Sequence, residues 1–226
     1  VQTSADVQPM QTHYAFTCGG VDLKVTFTAP LFMEDLKLLS RPVNYLTYSV
    51  AARDGREHEV EVYFEASPRW ALDQPYQQSA SKGYEADGLL YLKSGSKEQN
   101  ILAKQGDDLR IDWGYFYMVA GKENTAYSVG NSTELRKNFV NGTLNSASLE
   151  GEDSNGNMAL VRSHGKVKNV TDKIMLGYDD IYSIQYFGTN LRPYWNSKGD
   201  RTIEAEMLAA YNEYDKLLAR CYAFDK

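Results

Sequence analysis

The spacing of apolar residues changes once along this chain, and that change constrains its architecture more than any single motif. Through most of the first 180 positions apolar side chains recur at every second residue or in short runs, the period of strands. From residue 202 they recur at every third or fourth, the period of a helix. The strand part opens with THYAFTC-GG-VDLKVTFTAP, residues 12–30, where the pair Gly19-Gly20 can supply the positive φ angles of a two-residue turn. That loop sets Cys18 opposite Val21, Phe16 opposite Leu23 and Tyr14 opposite Val25, giving one apolar face, with Cys18 as a small core residue. PVNYLTYSVAA-RDG-REHEVEVYFEA, residues 42–66, reads as a second hairpin in which Tyr48 meets Val60 and Leu46 meets Val62. Its wet face would carry Thr47, Ser49, Glu59, Glu61 and Glu65. Two hairpins with one buried face each need a second layer, so the chain is expected to be mainly β, an antiparallel β-sandwich.

Further strands are expected at residues 89–93, 109–120, 158–163 and 172–179, with a short helix at 132–140. Residues 67–88 are rich in Ser, Gln, Gly and Pro and read as a long irregular excursion. Residues 148–157 read as a turn-rich connection.

The last segment, TIEAEMLAAYNEYDKLLARCYAFDK, differs in kind. Asp200 or Thr202 can cap it, and Glu204 and Glu206 place negative charge at its first turn. Met207, Tyr211, Tyr214, Leu218 and Cys221 follow at intervals of four, three, four and three, with Glu206, Glu213 and Arg220 elsewhere on the wheel. The helix is roughly 35 Å long. No Gly or Pro closes it before Lys226, and the expectation is a chain that originally continues, with 1–199 forming the sandwich and 200–226 a linker helix.

Composition narrows the partners. The chain has 226 residues, 24 Lys plus Arg against 30 Asp plus Glu, and a formal charge of -6, so no basic field exists to hold a phosphate backbone and nucleic acid is not an expected partner. Mean hydropathy is -0.51 and no apolar run approaches the roughly 18 residues of a membrane span. Cys18 and Cys221 fit neither a disulfide framework nor a CxxC site.

No catalytic, cofactor or metal residue is nominated. His13, His58 and His164 lie in no ligand spacing. DSNGN, residues 153–157, begins like a calcium loop but has Met158 and His164 where Gly and Glu belong. Asp179-Asp180, Asp107-Asp108 and Glu34-Asp35 are adjacent acids, which alone do not make an acid–base pair. Were the chain itself an enzyme, Asp112, Asp179 and Asp180 would be the acids to test. Three sequons, at Asn131, Asn141 and Asn169, would permit glycosylation in a secreted eukaryotic protein. IDWGYFY sets Trp113, Tyr115 and Tyr117 on one strand face and Asp112 on the other, while SIQYFGTNLRPYWN gathers Tyr186, Phe187, Tyr194 and Trp195. Core or interdomain packing is one use for these rings, and a sugar-stacking platform built from Trp113, Tyr194 or Trp195 is the other.

With VTFTAP, LLSRPVNYLTY, IDWGYFY, GYDDIYSIQYFGTNLRPYWN and LLARCYAFDK in order along the chain, the sequence resembles the N-terminal region of the glutaminase A-like family. That resemblance implies a supersandwich-like β region leading through the helix into a downstream (α/α)-barrel-like domain that holds the active site, in a secreted, periplasmic or cell-envelope protein. It implies a noncatalytic structural or interaction role in a hydrolase of L-glutamine. The alternative is an accessory or carbohydrate-binding sandwich domain of a glycoside-hydrolase-like enzyme. The candidate interdomain or ligand surface is Asp112, Trp113, Tyr115, Tyr194, Trp195, Met207, Tyr211, Tyr214 and Leu218, with the downstream domain and carbohydrate as candidate partners and no cofactor.

Overall fold

A computed structural model describes residues 1–107, 109–144, 153–154 and 156–226. In chain order the elements are β1 (Gln2–Val7), β2 (Gln11–Cys18), β3 (Val21–Thr28), α1 (Leu36–Ser40), β4 (Val43–Ala52), β5 (His58–Ala66) and a 3₁₀ turn at Pro68–Ala71. Then come β6 (Ser79–Ala86), β7 (Leu89–Ser96), β8 (Tyr115–Gly121), β9 (Thr125–Gly130), α2 (Ser132–Val140), β10 (Asp153–Ser154), β11 (Asn157–Val167) and β12 (Asn169–Asp179). The chain ends with β13 (Ile184–Tyr186), β14 (Thr189–Leu191), a second 3₁₀ turn at Tyr194–Asn196 and α3 (Ile203–Asp225).

The strands form an antiparallel nine-stranded sheet in the order β1-β2-β3-β4-β12-β8-β7-β6-β10, a three-stranded sheet β5-β11-β9, and the small hairpin β13-β14. The protein is mainly β, as the period of its apolar residues predicts. The small sheet covers one face of the large sheet and α3 lies across the other, so its central strands are buried on both sides. On β7, Leu90 and Leu92 point to the small sheet while Leu89 and Tyr91 point to α3. On β8, Phe116, Met118 and Ala120 oppose Tyr117 and Val119 in the same way. Burial on both faces is why LLYLK reads as a continuous apolar run instead of an alternation.

The first hairpin has the expected register, with Cys18 against Val21, Phe16 against Leu23 and Tyr14 against Val25. Cys18, expected in the core, is exposed at the hairpin tip. The second hairpin does not form. β4 pairs with β3 and β12, whereas β5 pairs with β11, so the RDG loop crosses from one sheet to the other. Tyr48 and Val60 therefore lie in different sheets instead of side by side, and an alternating pattern is the same in both arrangements. The expected wet face is accordingly divided. Thr47 shares a 2.6 Å hydrogen bond with Tyr214 under α3, while Glu65 is held by Arg136 at 2.8 Å and Asn157 at 2.6 Å.

α2 occupies the expected residues, capped by Asn131, whose Oδ1 accepts from the amides of Thr133 and Glu134. The strand expected at 109–120 starts only at Tyr115. The 67–88 excursion contains β6, whose buried Ser81 donates to Ser94 Oγ at 2.8 Å, a strand built on small polar residues that carry no apolar signal. The 148–157 connection and its calcium-like start lie mostly outside the described residues.

α3 is capped by Thr202, whose hydroxyl accepts from the Ala205 amide. Its buried residues are Ile203, Met207, Ala210, Tyr214, Leu217 and Cys221, so the packed stripe is rotated slightly from the expected one and Tyr211 and Leu218 flank it. Glu206, expected away from the apolar face, is fully buried. It is paired with Arg41 at 3.1 Å and with Arg201, and Arg41 also reaches Glu213 at 2.9 Å. Two guanidinium groups make this burial tolerable and fix the start of the helix to the loop before β4. At Gly177 on β12 the helix comes so close that an added Cβ would lie 2.2 Å from the Met207 methyl and 2.6 Å from the Pro42 carbonyl.

Candidate functional site

At the end of the large sheet where β12 meets the start of β8, the chain opens a cleft of about 700 Å³. Its walls are the α1–β4 connection at Ser40 and Pro42, the turn after β12 at Asp180, the β13–β14 hairpin, and the 3₁₀ turn carrying Tyr194 and Trp195. Local backbone geometry sets up this end. Gly114 has φ +77°, and a Cβ there would stand 2.2 Å from the Asp179 carbonyl, so only glycine lets the segment before β8 pass the end of β12. Trp113 is thereby turned out of the strand. Its indole N–H donates to the Tyr182 carbonyl at 3.0 Å, and the Tyr178 hydroxyl donates to the Trp113 carbonyl at 2.6 Å.

The turn after β12 is strained. Ile181 is β-branched yet has φ +61°, held by its own N–H donating to Asp179 Oδ1 at 3.0 Å. Burial raises the Asp179 carboxyl above the ordinary carboxylate range, the Ile181 N–H works against that rise, and neighbouring Asp180 adds to it. Arg192 stacks on the Tyr182 ring at 4.8 Å. Beyond it the β13–β14 hairpin projects into solvent. Tyr186 is 61% and Phe187 91% exposed, with their rings 4.5 Å apart, and Tyr194 is 58% exposed in the cleft.

The sequence-derived candidates fall into three places. Asp112 is buried in an ionic clasp, accepting from Lys104 Nζ and Gln77 Nε2, both at 2.9 Å, while Lys104 also reaches Asp73 at 3.1 Å. Tyr194 and Trp195 line the cleft and Trp113 sits behind it, but Trp113 and Trp195 are 8% and 4% exposed, so of this trio only Tyr194 presents a ring. Tyr115, Met207, Tyr211, Tyr214 and Leu218 belong to the α3–sheet interface, where Lys93 lies 3.5 Å above the Tyr115 ring. The helix stripe is therefore spent on the chain's own sheet. Arg192 and the strained Ile181 gave no sequence signal, because Asp-Ile-Tyr carries none of the Gly or Asn that marks a left-handed residue. Among the described residues no group of three or more His, Cys, Asp or Glu is placed to hold a metal ion, and no helix is long and apolar enough to cross a membrane. The cleft can offer an aromatic surface and the Asp180 carboxyl, with the buried Asp179 carboxyl, whose pKa is raised, behind its wall.

Comparison with known proteins agrees with the resemblance at a coarser level. The chain is 27% identical over 200 residues to a protein named Glutaminase A from Aspergillus oryzae, an alignment covering 83% of this chain and 28% of that relative. From residue 10 to residue 226 the sequence matches one family throughout, and the chain belongs to it: the domain of unknown function DUF5127.

Proposed function

We propose that this chain is the noncatalytic N-terminal structural and interaction domain of a glutaminase-like hydrolase. In this reading residues 1–199 are the sandwich, 200–226 the linker helix, and a downstream (α/α)-barrel-like domain hydrolyses L-glutamine with water to glutamate and ammonia. The protein works outside the cytoplasm, in the secreted, periplasmic or cell-envelope space. The observation that carries the reading is the unpartnered aromatic hairpin, with Phe187 91% exposed beside Tyr186 and an open cleft holding Tyr194. A patch of this kind at the rim of a sandwich is what an interdomain contact requires. The alignment to Glutaminase A spans 28% of that protein, which leaves room there for a catalytic region beyond the matched part. The helix stripe is not the docking surface in this reading, since it is covered; the cleft and hairpin are.

The test is ammonia release from L-glutamine, measured on this 226-residue chain and on a longer chain carrying the downstream region. The short chain is expected to be silent and the longer one active. Turnover by the short chain that disappears in Asp179→Asn overturns the noncatalytic reading. Replacing Tyr186 and Phe187 together by Ala is expected to leave the Tm of the short chain unchanged while weakening its association with the separately produced downstream region; unchanged association would remove the hairpin from the interface.

A further inference from the structure

We infer that a second groove, on the other side of the β12 strand end, binds a neutral oligosaccharide. This inference stands apart from the glutaminase reading and uses none of the cleft residues that carry it except Tyr178, which borders both. The groove encloses about 500 Å³ between the β1–β2 connection, the ends of β3, β4 and β12, and the 3₁₀ turn after β5. Two aromatic rings are exposed in it: Trp70 at 61% and Phe27 at 41%. Trp70 is not a loose surface residue. Its ring lies 5.2 Å from Phe116 of the sandwich core, and its 3₁₀ turn is capped by Ser67 and begun by Pro68. The indole is thus anchored by a tilted contact with the core while most of its surface is left to solvent, and such a ring can stack on the apolar face of a pyranose.

The polar groups in the groove are of one chemical kind. Among the described residues fifteen line it and none of them is charged, in a chain that is 24% charged. Asn44 on β4 and Thr12 on β2 make no side-chain hydrogen bond among the described residues, and both are fixed by strand pairing. Gln8 donates its amide nitrogen to Asp6, which leaves its carbonyl oxygen as an acceptor. An amide that can both donate and accept, a hydroxyl and an amide carbonyl, set beside aromatic faces without a fixed charge, match the hydroxyls of an uncharged sugar. They would leave a phosphate or a carboxylate without a counter-charge. Sites of this sort are concave, mostly apolar and carry a few placed polar groups on rigid elements.

Trp113 and Trp195 are buried, so Trp70 is the exposed tryptophan of the three and acrylamide quenching of indole fluorescence reports on it. The intact chain is titrated with hexasaccharides of β-1,4-glucose, α-1,4-glucose, β-1,3-glucose, β-1,4-mannose and β-1,4-xylose, with oligogalacturonate as the charged control. At least one neutral series is expected to protect Trp70 from acrylamide, with oligogalacturonate giving none. Trp70→Ala, which removes that reporter, is read by isothermal titration and is expected to bind at least about tenfold more weakly with its Tm little changed. Asn44→Ala retains the fluorescent readout and is expected to weaken protection in the same series. Absence of protection by every neutral hexasaccharide at millimolar concentration overturns the inference. So does binding that survives both substitutions, or protection by the charged oligomer alone.

Discussion

The two faces of the large sheet are packed by different chemistry. Toward the small sheet the core is built mainly from Leu46, Leu90, Leu92, Met118, Met158, Leu160 and Ile174, side chains with no hydrogen-bonding handle. Toward α3 the large rings other than Phe32 are tyrosines, and several of their hydroxyls reach across the interface. Tyr45 donates to the Ala210 carbonyl at 2.9 Å, Tyr84 to Glu204 at 2.6 Å, and the Tyr214 hydroxyl is hydrogen-bonded to that of Thr47. A nondirectional core tolerates sliding, whereas carbonyl and carboxylate acceptors fix the axial position of a helix. The sandwich side therefore supplies stability and the helix side supplies placement.

Four measurements would break or sharpen that contrast. The largest effect is expected from Leu160→Ala, a fully buried position on the central strand of the small sheet, which should cost about 2–5 kcal/mol in urea unfolding. All probes should lose stability together; a variant in which only α3 loosened would undo the division of roles. Next, Gly177→Ala forces Met207 and the Pro42 carbonyl apart and should cost about 1–3 kcal/mol, felt first as faster hydrogen exchange in α3. The cysteines supply a second readout. Cys18 is exposed and should react with a thiol reagent at once, while Cys221 is buried and its thiol is pushed up to about 11 by burial, so its slow reaction times the lifting of α3. Cys221 labelling that speeds up only as much as global unfolding does would show that helix and sandwich open as one unit.

Tyr45→Phe keeps the ring and deletes one bond, so about 0.5–1.5 kcal/mol is expected, again seen in α3 exchange more than in global unfolding. The smallest change is beside the cleft. Because the folded carboxyl of Asp179 has a raised pKa, its charging opposes folding: stability is full below the ordinary carboxylate value and is lost as pH rises through the raised one. Asp179→Asn should leave Tm unaltered at pH 3 and raise it slightly at pH 7. Equal Tm values at both pH values would mean that the native carboxylate is better solvated than its burial implies.

Much of the architecture was legible because strand and helix periods differ and because Gly19-Gly20 permits few turns. Period does not supply the layer to which a strand belongs, so alternation alone pairs β5 with β4, where the structure pairs it with β11. β1 and β6 were invisible for another reason: QTSADV and SASKGYEA bury little or bury serines, and serine alternation resembles a loop. The aromatic residues near the cleft were legible as a cluster, but not which rings would be exposed. One glycine at 114 turned Trp113 inward while leaving Tyr115 and Tyr117 on the helix face. Trp70 stands alone in a polar stretch, and a single aromatic carries no period that would mark it.

The crossing made by the RDG loop bears on how the chain can be made. β5 and β9 each pair with β11 and not with each other, and contacts such as Ser163 with Glu61 join residues 102 positions apart. As the polypeptide emerges from the ribosome, β5 must wait with an unpaired edge until β11 has been synthesised, and β9 waits with it. Any chain released before residue 157 would lack both β11 and β12, leaving β5 and β9 with unpaired edges and the large sheet split between β4 and β8, so premature termination is expected to yield aggregates, not a smaller stable sandwich.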